Sequence, residues 1–144
     1  MKLPDEPIRL RIASSPAHLP VVRAALERFC EMMGFAESVR GGIILSVDEA
    51  LTNVIRHAYH GQEDRPIEVE LRQVGNGSGN SLEIRLRDWG EQVPPERIRP
   101  RDLTDVRPGG LGVHIMRTCM DEVSYTPADG GGTVLTMTKE LFDE

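Results

Sequence analysis

Two alternating segments joined by a glycine-rich linker constrain the fold of this chain most strongly. The segments IEVELRQV (67–74) and SLEIRLRDW (81–89) alternate between apolar and polar residues, as β-strands do. The linker between them, GNGSGN, has the glycine and asparagine content of a hairpin loop. The sequence therefore predicts an antiparallel pair of strands.

Helices and further strands are predicted on both sides of this hairpin. IRLRIA (8–13) alternates as a strand, and a first helix begins between Pro16 and Pro20 and ends around Gly34. A second helix spans about 36–59, and after a long loop come a helix, GVHIMRTCM, and two strands, EVSYT and TVLTMTKEL. Helical spacing predicts that the apolar residues of the first helix are core: Leu19, Val22, Leu26, Phe29, Met32 and Met33.

Composition limits the classes of function. A chain of 144 residues with 39% hydrophobic content has the usual size of one domain, and its net charge of -6 argues against nucleic acid or an anionic membrane as the main partner. No apolar run approaches the roughly 20 residues of a membrane span, and the start of the chain does not resemble a signal peptide. We therefore expect a cytoplasmic protein, with Cys30 and Cys119 as reduced core residues.

The second predicted helix has two different faces. At about 100° per residue, its apolar residues share one arc, while Ser46, Glu49, Asn53 and His57 share another. This polar arc can simply be solvated. It can also be functional, because Glu can act as a general base and an Asn oxygen can help to hold Mg²⁺ against phosphate oxygens.

Three later motifs have a functional and a structural interpretation each. Asp88 and Gly90 follow a strand, where they can accept an amino hydrogen and admit a flat ligand, or form an ordinary turn. Gly110 and Gly112 lead into a helix N-terminus, as in a phosphate cradle or a flexible hinge. Thr133 offers a hydroxyl at a strand start, where threonine is also a good strand former. The segment 90–112, with four prolines, is predicted to be a mobile lid.

The order of these motifs resembles the Bergerat-fold ATP-binding domain of type II topoisomerases, histidine kinases and mismatch-repair ATPases. VDEALTNVIRHAY, DWG, GGLGVHIMRTCMDEVSY and GGT are similar to the bacterial anti-sigma-factor serine kinases. The resemblance implies an α+β fold, a two-layer sandwich whose mixed, mostly antiparallel sheet is covered by helices on one face. It also implies one ATP-binding domain over 1–144 with an ATP lid at about 90–112.

The resemblance further implies roles for individual residues. Glu49 corresponds to the family's general base, which takes a proton from the attacking hydroxyl or water. Asn53 corresponds to the residue that holds Mg²⁺ against the phosphates of ATP, and Asp88 to the residue that reads adenine. Four more contacts with ATP are implied: Gly90 beside the base, Gly110 and Gly112 near the phosphates, and the Thr133 hydroxyl near the adenine-binding carboxylate.

Two residues of the predicted lid stand apart from this pattern. Arg107 precedes the glycines and can add positive charge near the γ-phosphate, although a loop arginine is often just solvated. Gln92 stands where many members of the superfamily have a glycine, and the prolines that follow it stiffen the lid. Lid closure is therefore expected to differ from the family pattern.

The function implied is that of an ATP-dependent serine/threonine protein kinase and anti-sigma factor. It would phosphorylate an anti-anti-sigma partner with a STAS-type domain and sequester a sigma factor, and a homodimer is compatible with this reading. The alternative is a non-catalytic ATP-binding module that switches partners, and a third reading is an ATP-hydrolysing domain of a larger machine. Glu49 favours the kinase, because a pure binder needs no base.

Overall fold

The computed structural model describes residues 3–76, 79–91 and 110–141. Within these ranges the chain forms five strands and three α-helices, with a 3₁₀ turn before the first helix and a π-helical segment after the second. In chain order the elements are β1 (Ile8–Ala13), α1 (Leu19–Met33), α2 (Glu37–Asn53), the π-helical segment (Val54–Ala58), β2 (Pro66–Asn76), β3 (Gly79–Asp88), α3 (Gly110–Cys119), β4 (Glu122–Pro127) and β5 (Thr133–Leu141).

The strands form one sheet in the order β1-β2-β3-β5-β4. All four pairings between the described strands are antiparallel. The predicted hairpin is confirmed as β2 and β3, with Ile67 opposite Asp88. Its strands extend further into the linker than the apolar alternation indicated, since Asn76 still lies opposite Gly79. Backbone pairing continues there because hydrogen bonds between strands do not require apolar side chains.

The two faces of the sheet differ in character. One face carries buried apolar side chains and packs on the helices in a single hydrophobic core. The opposite face, called the open face below, carries cross-strand ion pairs, with Arg9 3.0 Å from Glu70 and Arg11 2.9 Å from Glu68. The fold is α+β with helices on one face, as predicted. The sheet residues buried in the core include Ile67, Val69, Leu71, Leu82, Ile84, Leu86, Leu135 and Met137.

Helix α1 begins and ends where its sequence signals indicate. Ser15 caps the 3₁₀ turn that leads into it, and Gly34 ends it in the left-handed conformation, at φ 101°. Four of the six residues predicted as core are buried, and Met32 and Met33 pack against the core while partly buried. Cys30 is also buried, and burial raises the pKa of its thiol to about 12. Cys119 is half-buried beside Gly42.

The predicted helix over 36–59 is α-helical only as far as Asn53. In the π-helical segment that follows, the Tyr59 N–H donates to the carbonyl of Val54, five residues back, at 3.0 Å. π-helical segments are rare in proteins, and those that occur frequently lie at functional sites. The wider turn brings the Ala58 carbonyl to the Glu91 N–H, which donates to it at 3.0 Å. In the described ranges, no helix has both the length and the apolar character that a membrane span needs.

Candidate nucleotide-binding site

Asp88 is the last residue of β3, and its side chain lies on the core face of the sheet with only 4% exposure. Its Oδ1 atom accepts the Gly90 N–H at 3.0 Å, and the backbone N–H of Thr133 also donates to the carboxylate. Burial raises the pKa of Asp88, and the two N–H donors oppose that shift. An ionised carboxylate can accept about four hydrogen bonds, so acceptor capacity remains for a ligand.

Two glycines allow the backbone to approach closely around Asp88. A Cβ atom on Gly90 would lie 2.7 Å from the carbonyl carbon of Ala58, and one on Gly132 would lie 2.7 Å from the Cα of Trp89. Gly132 also has a φ of 80°, which side chains rarely tolerate. Both positions require glycine. Three chain-distant segments therefore meet at Asp88: the end of the π-helical segment, the residues after β3 and the turn before β5.

Tyr59 holds this junction together and was not among the predicted site residues. Its buried hydroxyl donates to the Pro66 carbonyl at 2.5 Å and accepts the Trp89 N–H at 2.8 Å. Burial raises the pKa of its phenol. A tyrosine at the end of a helix, just before a breaker-rich loop, is a signal in itself, because a buried Tyr hydroxyl usually finds a polar partner.

The polar arc of α2 is only partly solvated. Ser46 is fully buried and donates to the Gly42 carbonyl at 2.8 Å, whereas His57 is exposed. Glu49 is half-buried. The Oδ1 atom of Asn53 is shielded from solvent and has no hydrogen-bond partner among the described residues. A buried, unpaired oxygen costs about 1–3 kcal/mol, so this atom calls for a partner that the described part of the chain does not supply.

A divalent cation fits the environment of Asn53. An amide oxygen is a hard ligand of the kind that Mg²⁺ takes, and Mg²⁺ commonly uses one or two protein ligands together with waters and substrate phosphates. No group of three or more His, Cys, Asp or Glu residues that could hold a metal occurs in the described ranges. The donor set therefore fits a cation shared with phosphates rather than one enclosed by protein ligands.

The remaining predicted residues occupy the following places. Gly110 is the first residue of α3 and Gly112 lies in its first turn, so the glycines do lead into a helix. Thr133 is the first residue of β5, and its backbone N–H reaches Asp88, whereas the prediction had concerned its hydroxyl. Arg107, Gln92 and most of the predicted lid lie outside the described residues.

A helix whose amide oxygen has no partner within the described ranges, a strand that ends in a buried carboxylate and a glycine turn beside it fit an ATP-binding class of domain. Residues 12–139 match the histidine kinase-like ATPase domain, and the chain belongs to that family. Its relatives include serine-protein kinase RsbW of Listeria innocua, 30% identical over 138 residues that cover 90% of this chain and 85% of the relative. Serine-protein kinase RsbW of Bacillus subtilis is 29% identical over 155 residues, covering 100% and 91%.

Solved structures show the same fold. The RsbU and RsbW domains of a Mycobacterium tuberculosis protein superpose with a TM-score of 0.67 at 19% identity, covering 99% of this chain and 36% of that one. The SiaB-SiaC complex of Pseudomonas aeruginosa gives a TM-score of 0.64 at 12% identity, covering 93% and 88%. Together with the relatives, these matches confirm the predicted family, its fold and its enzyme class, a serine/threonine protein kinase that uses ATP.

Proposed function

We propose that this chain binds ATP with Mg²⁺ between α2 and the Asp88 junction and transfers the γ-phosphoryl group to a Ser or Thr of an anti-anti-sigma partner with a STAS-type domain. It also sequesters a sigma factor, and both activities belong to the cytoplasm. One observation carries the proposal: Asn53, whose buried Oδ1 has no partner among the described residues, lies one helical turn after Glu49 on α2. This spacing supports the proposal, because residues four apart lie on the same side of a helix, where an amide oxygen and a carboxylate can serve one bound nucleotide.

Adenine recognition is assigned to Asp88. Its carboxylate is held by two backbone N–H groups and would accept the amino hydrogen of the base, while Gly90, which the family resemblance puts beside the base, lets the backbone close against Ala58 at this point. The carboxylate is oriented before the ligand arrives, so little rotamer freedom is lost on binding. Thr133, whose N–H already bonds Asp88, belongs to the same pocket.

The phosphates are assigned to Asn53, with Gly110, Gly112 and Arg107 on the lid side. Asn53 Oδ1 would hold Mg²⁺, which when bound neutralises the charge of the phosphate oxygens and keeps them in line for transfer. Gly110 and Gly112 stand at the N-terminus of α3, where free N–H groups favour an anion. Arg107, three residues before Gly110 in the sequence, is proposed to add positive charge for the phosphates.

Glu49 is assigned as the general base. As the serine oxygen of the partner forms its bond to the γ-phosphorus, the bond to the ADP oxygen breaks and the hydroxyl proton passes to the Glu49 carboxylate. The products are phosphoserine and ADP. Half-burial of Glu49 limits its hydration while leaving it accessible to a hydroxyl.

The partner assignment rests on the family resemblance and on two further observations. The net charge of -6 suits a protein partner better than a phosphate backbone. The SiaB-SiaC complex contains the same fold together with another protein. A homodimer is compatible with the proposal and is not needed for any step of it.

Single-turnover transfer from radiolabelled ATP to candidate anti-anti-sigma proteins tests this function. Glu49→Gln keeps the size of the side chain but removes the proton acceptor, so the transfer rate should fall by about 10²–10⁴-fold while ATP binding survives. Glu37→Gln is the matched control, because Glu37 is an exposed carboxylate in the first turn of the same helix. Equal transfer rates for wild type and Glu49→Gln would show that Glu49 is not the general base. ATP binding without transfer to any partner would favour the non-catalytic switch.

A further inference from the structure

Arg87 makes hydrogen bonds that belong neither to the proposed ATP site nor to the cross-strand ion pairs of the open face. It precedes Asp88 on β3, so its side chain points to the opposite face of the sheet. Its Nε donates to the Asp88 carbonyl at 3.0 Å. Its Nη2 donates to two carbonyls of the turn before β5, those of Asp129 at 3.0 Å and Gly131 at 2.9 Å. One guanidinium therefore joins the end of β3 to that turn.

The turn in question has little conformational restraint of its own. Gly130, Gly131 and Gly132 have φ values of 86°, 99° and 80° in succession, and glycine loses more backbone freedom on folding than any other residue. Local backbone bonds link Ala128 to Gly132 at 3.0 Å and to Gly131 at 3.2 Å. The next residue along the chain is Thr133, whose N–H donates to the Asp88 carboxylate. The position of that donor depends on how firmly the turn is held.

Trp89 fixes the plane of the guanidinium that holds the turn. The centre of the Arg87 guanidinium lies 4.6 Å from the centroid of the indole ring, within the range of a cation–π contact. Stacking restricts the rotation of a planar guanidinium and preserves the direction of its N–H groups. Trp89 is 40% exposed and is the only tryptophan of the sequence, so its fluorescence reports on the surroundings of this one ring, which also include the Arg11 guanidinium at 5.7 Å.

We propose that Arg87 is a positioning residue for adenine recognition, acting from the open face of the sheet by holding the 128–132 turn so that Thr133 presents its N–H to Asp88. Arg87 itself touches no ligand. This inference rests on the proposed nucleotide site and adds to it a residue on the far side of the sheet. Arg87 acts on the binding of adenine and not on the binding of the phosphates. Its replacement should therefore weaken the binding of ATP and of ADP by the same factor.

Titration calorimetry with ATP and with ADP, each with and without Mg²⁺, tests this role. Arg87→Met keeps the length of the side chain but loses the three donated bonds, so the dissociation constants for ATP and ADP should both rise by about 5- to 30-fold. The two factors should be equal, with or without Mg²⁺. Mere loss of positive charge would instead weaken ATP more than ADP, because ATP carries more negative charge.

Arg85→Met is the matched control. Arg85 lies two residues earlier on the same face of β3, where its Nε is 3.1 Å from Glu83. This control should leave both nucleotide affinities at wild-type values, since exposed ion pairs contribute little. Arg87→Lys is the second variant, and one ammonium can reach only part of the set of carbonyls. It should weaken binding less than Arg87→Met and shift Trp89 emission less.

The outcomes separate the possibilities. Thermal unfolding shows whether Arg87→Met and Arg87→Lys are folded. If both are folded and bind ADP with the affinity of Arg85→Met, the positioning role is overturned. If Arg87→Met does not fold, wild-type ADP affinity in Arg87→Lys overturns it equally. If ATP loses much more affinity than ADP, Arg87 acts by charge and the positioning role is again wrong. Absence of nucleotide binding by the wild type would overturn the proposed function instead.

Discussion

The buried Asp88 carboxylate affects the stability of the fold and, in the proposed site, the binding of adenine. Burial raises the pKa of its carboxyl, so the charged form is disfavoured in the native state relative to the unfolded one. The contribution of Asp88 to stability is therefore fully present below the ordinary pKa of an aspartate, and it is lost as the pH rises through the raised native pKa. A hydrogen bond from adenine to the carboxylate would favour its charged form and so offset part of this cost.

Replacing Asp88 by asparagine separates these two requirements. Asp88→Asn removes a buried ionisable group but leaves one oxygen for the two N–H donors, Gly90 and Thr133, so the two effects oppose each other and thermal stability at neutral pH should change little. ATP affinity should fall, because the amide can offer the base a donor where an acceptor is needed. A mispaired contact costs about 1–3 kcal/mol, which is roughly a 5- to 150-fold loss of affinity. Calorimetric titration and thermal unfolding measure the two effects. Asp129→Asn, at an exposed position in the adjacent turn, controls for loss of charge. Unchanged ATP affinity would exclude Asp88 from the pocket.

Asn53 gives a prediction that depends on the metal. Asn53→Ala removes a buried oxygen that has no partner within the described ranges, so the nucleotide-free protein should lose no stability. ATP affinity measured with Mg²⁺ should fall toward the value measured in EDTA, and the EDTA value should not change. An equal loss of affinity under both conditions would show that Asn53 acts without a cation.

The π-helical segment and the glycine it meets act as one unit of structure. Gly90→Ala would place a methyl group against the Ala58 carbonyl, a backbone atom that cannot move without shifting the segment. We expect a destabilisation of about 1–3 kcal/mol and weaker ATP binding. Gly41→Ala is the matched control, since its added Cβ meets nothing within 4 Å among the described residues. In a helix interior that change should stabilise the protein by about 0.5–1 kcal/mol. Chemical denaturation gives the free energy of unfolding of both variants. Equal values for Gly90→Ala and Gly41→Ala would show that the contact at Gly90 can relax.

The elements were largely predictable from the sequence, but their junctions were not. Alternation identified the hairpin, and helical spacing identified the core of α1, because each reflects the burial of one face within one element. The π-helical segment was missed, since one extra residue per turn barely alters a short apolar pattern. Asp88 and Gly90 were found through a local motif. Tyr59 and Gly132 were not found, because each is explained by a contact with a distant part of the chain. Tyr59 accepts the Trp89 N–H, and Gly132 lies against the Cα of Trp89.

In the whole molecule, the residues of the proposed site lie on one side of the sheet. Asp88 and the helix that carries Glu49 and Asn53 are on the core side, where burial orients the groups and limits hydration. Periodicity indicated that helices and strands were present, but it could not give the strand order, since that depends on which edges meet in space. The family resemblance supplied the layer architecture, with helices on one face of the sheet, but no strand order.

The two faces of this sheet differ in how freely they can change over evolutionary time. Ion pairs such as Arg9 with Glu70 and Arg11 with Glu68 are largely exposed, and such pairs contribute about 0–1 kcal/mol each. Lineages can therefore exchange these charges at little cost and adjust the surface that other proteins encounter. Arg87 differs from these pairs, since its three bonds join the end of β3 to the turn before β5. The exposed ion pairs of the open face can therefore change while Arg87 and the face that carries the proposed site are kept.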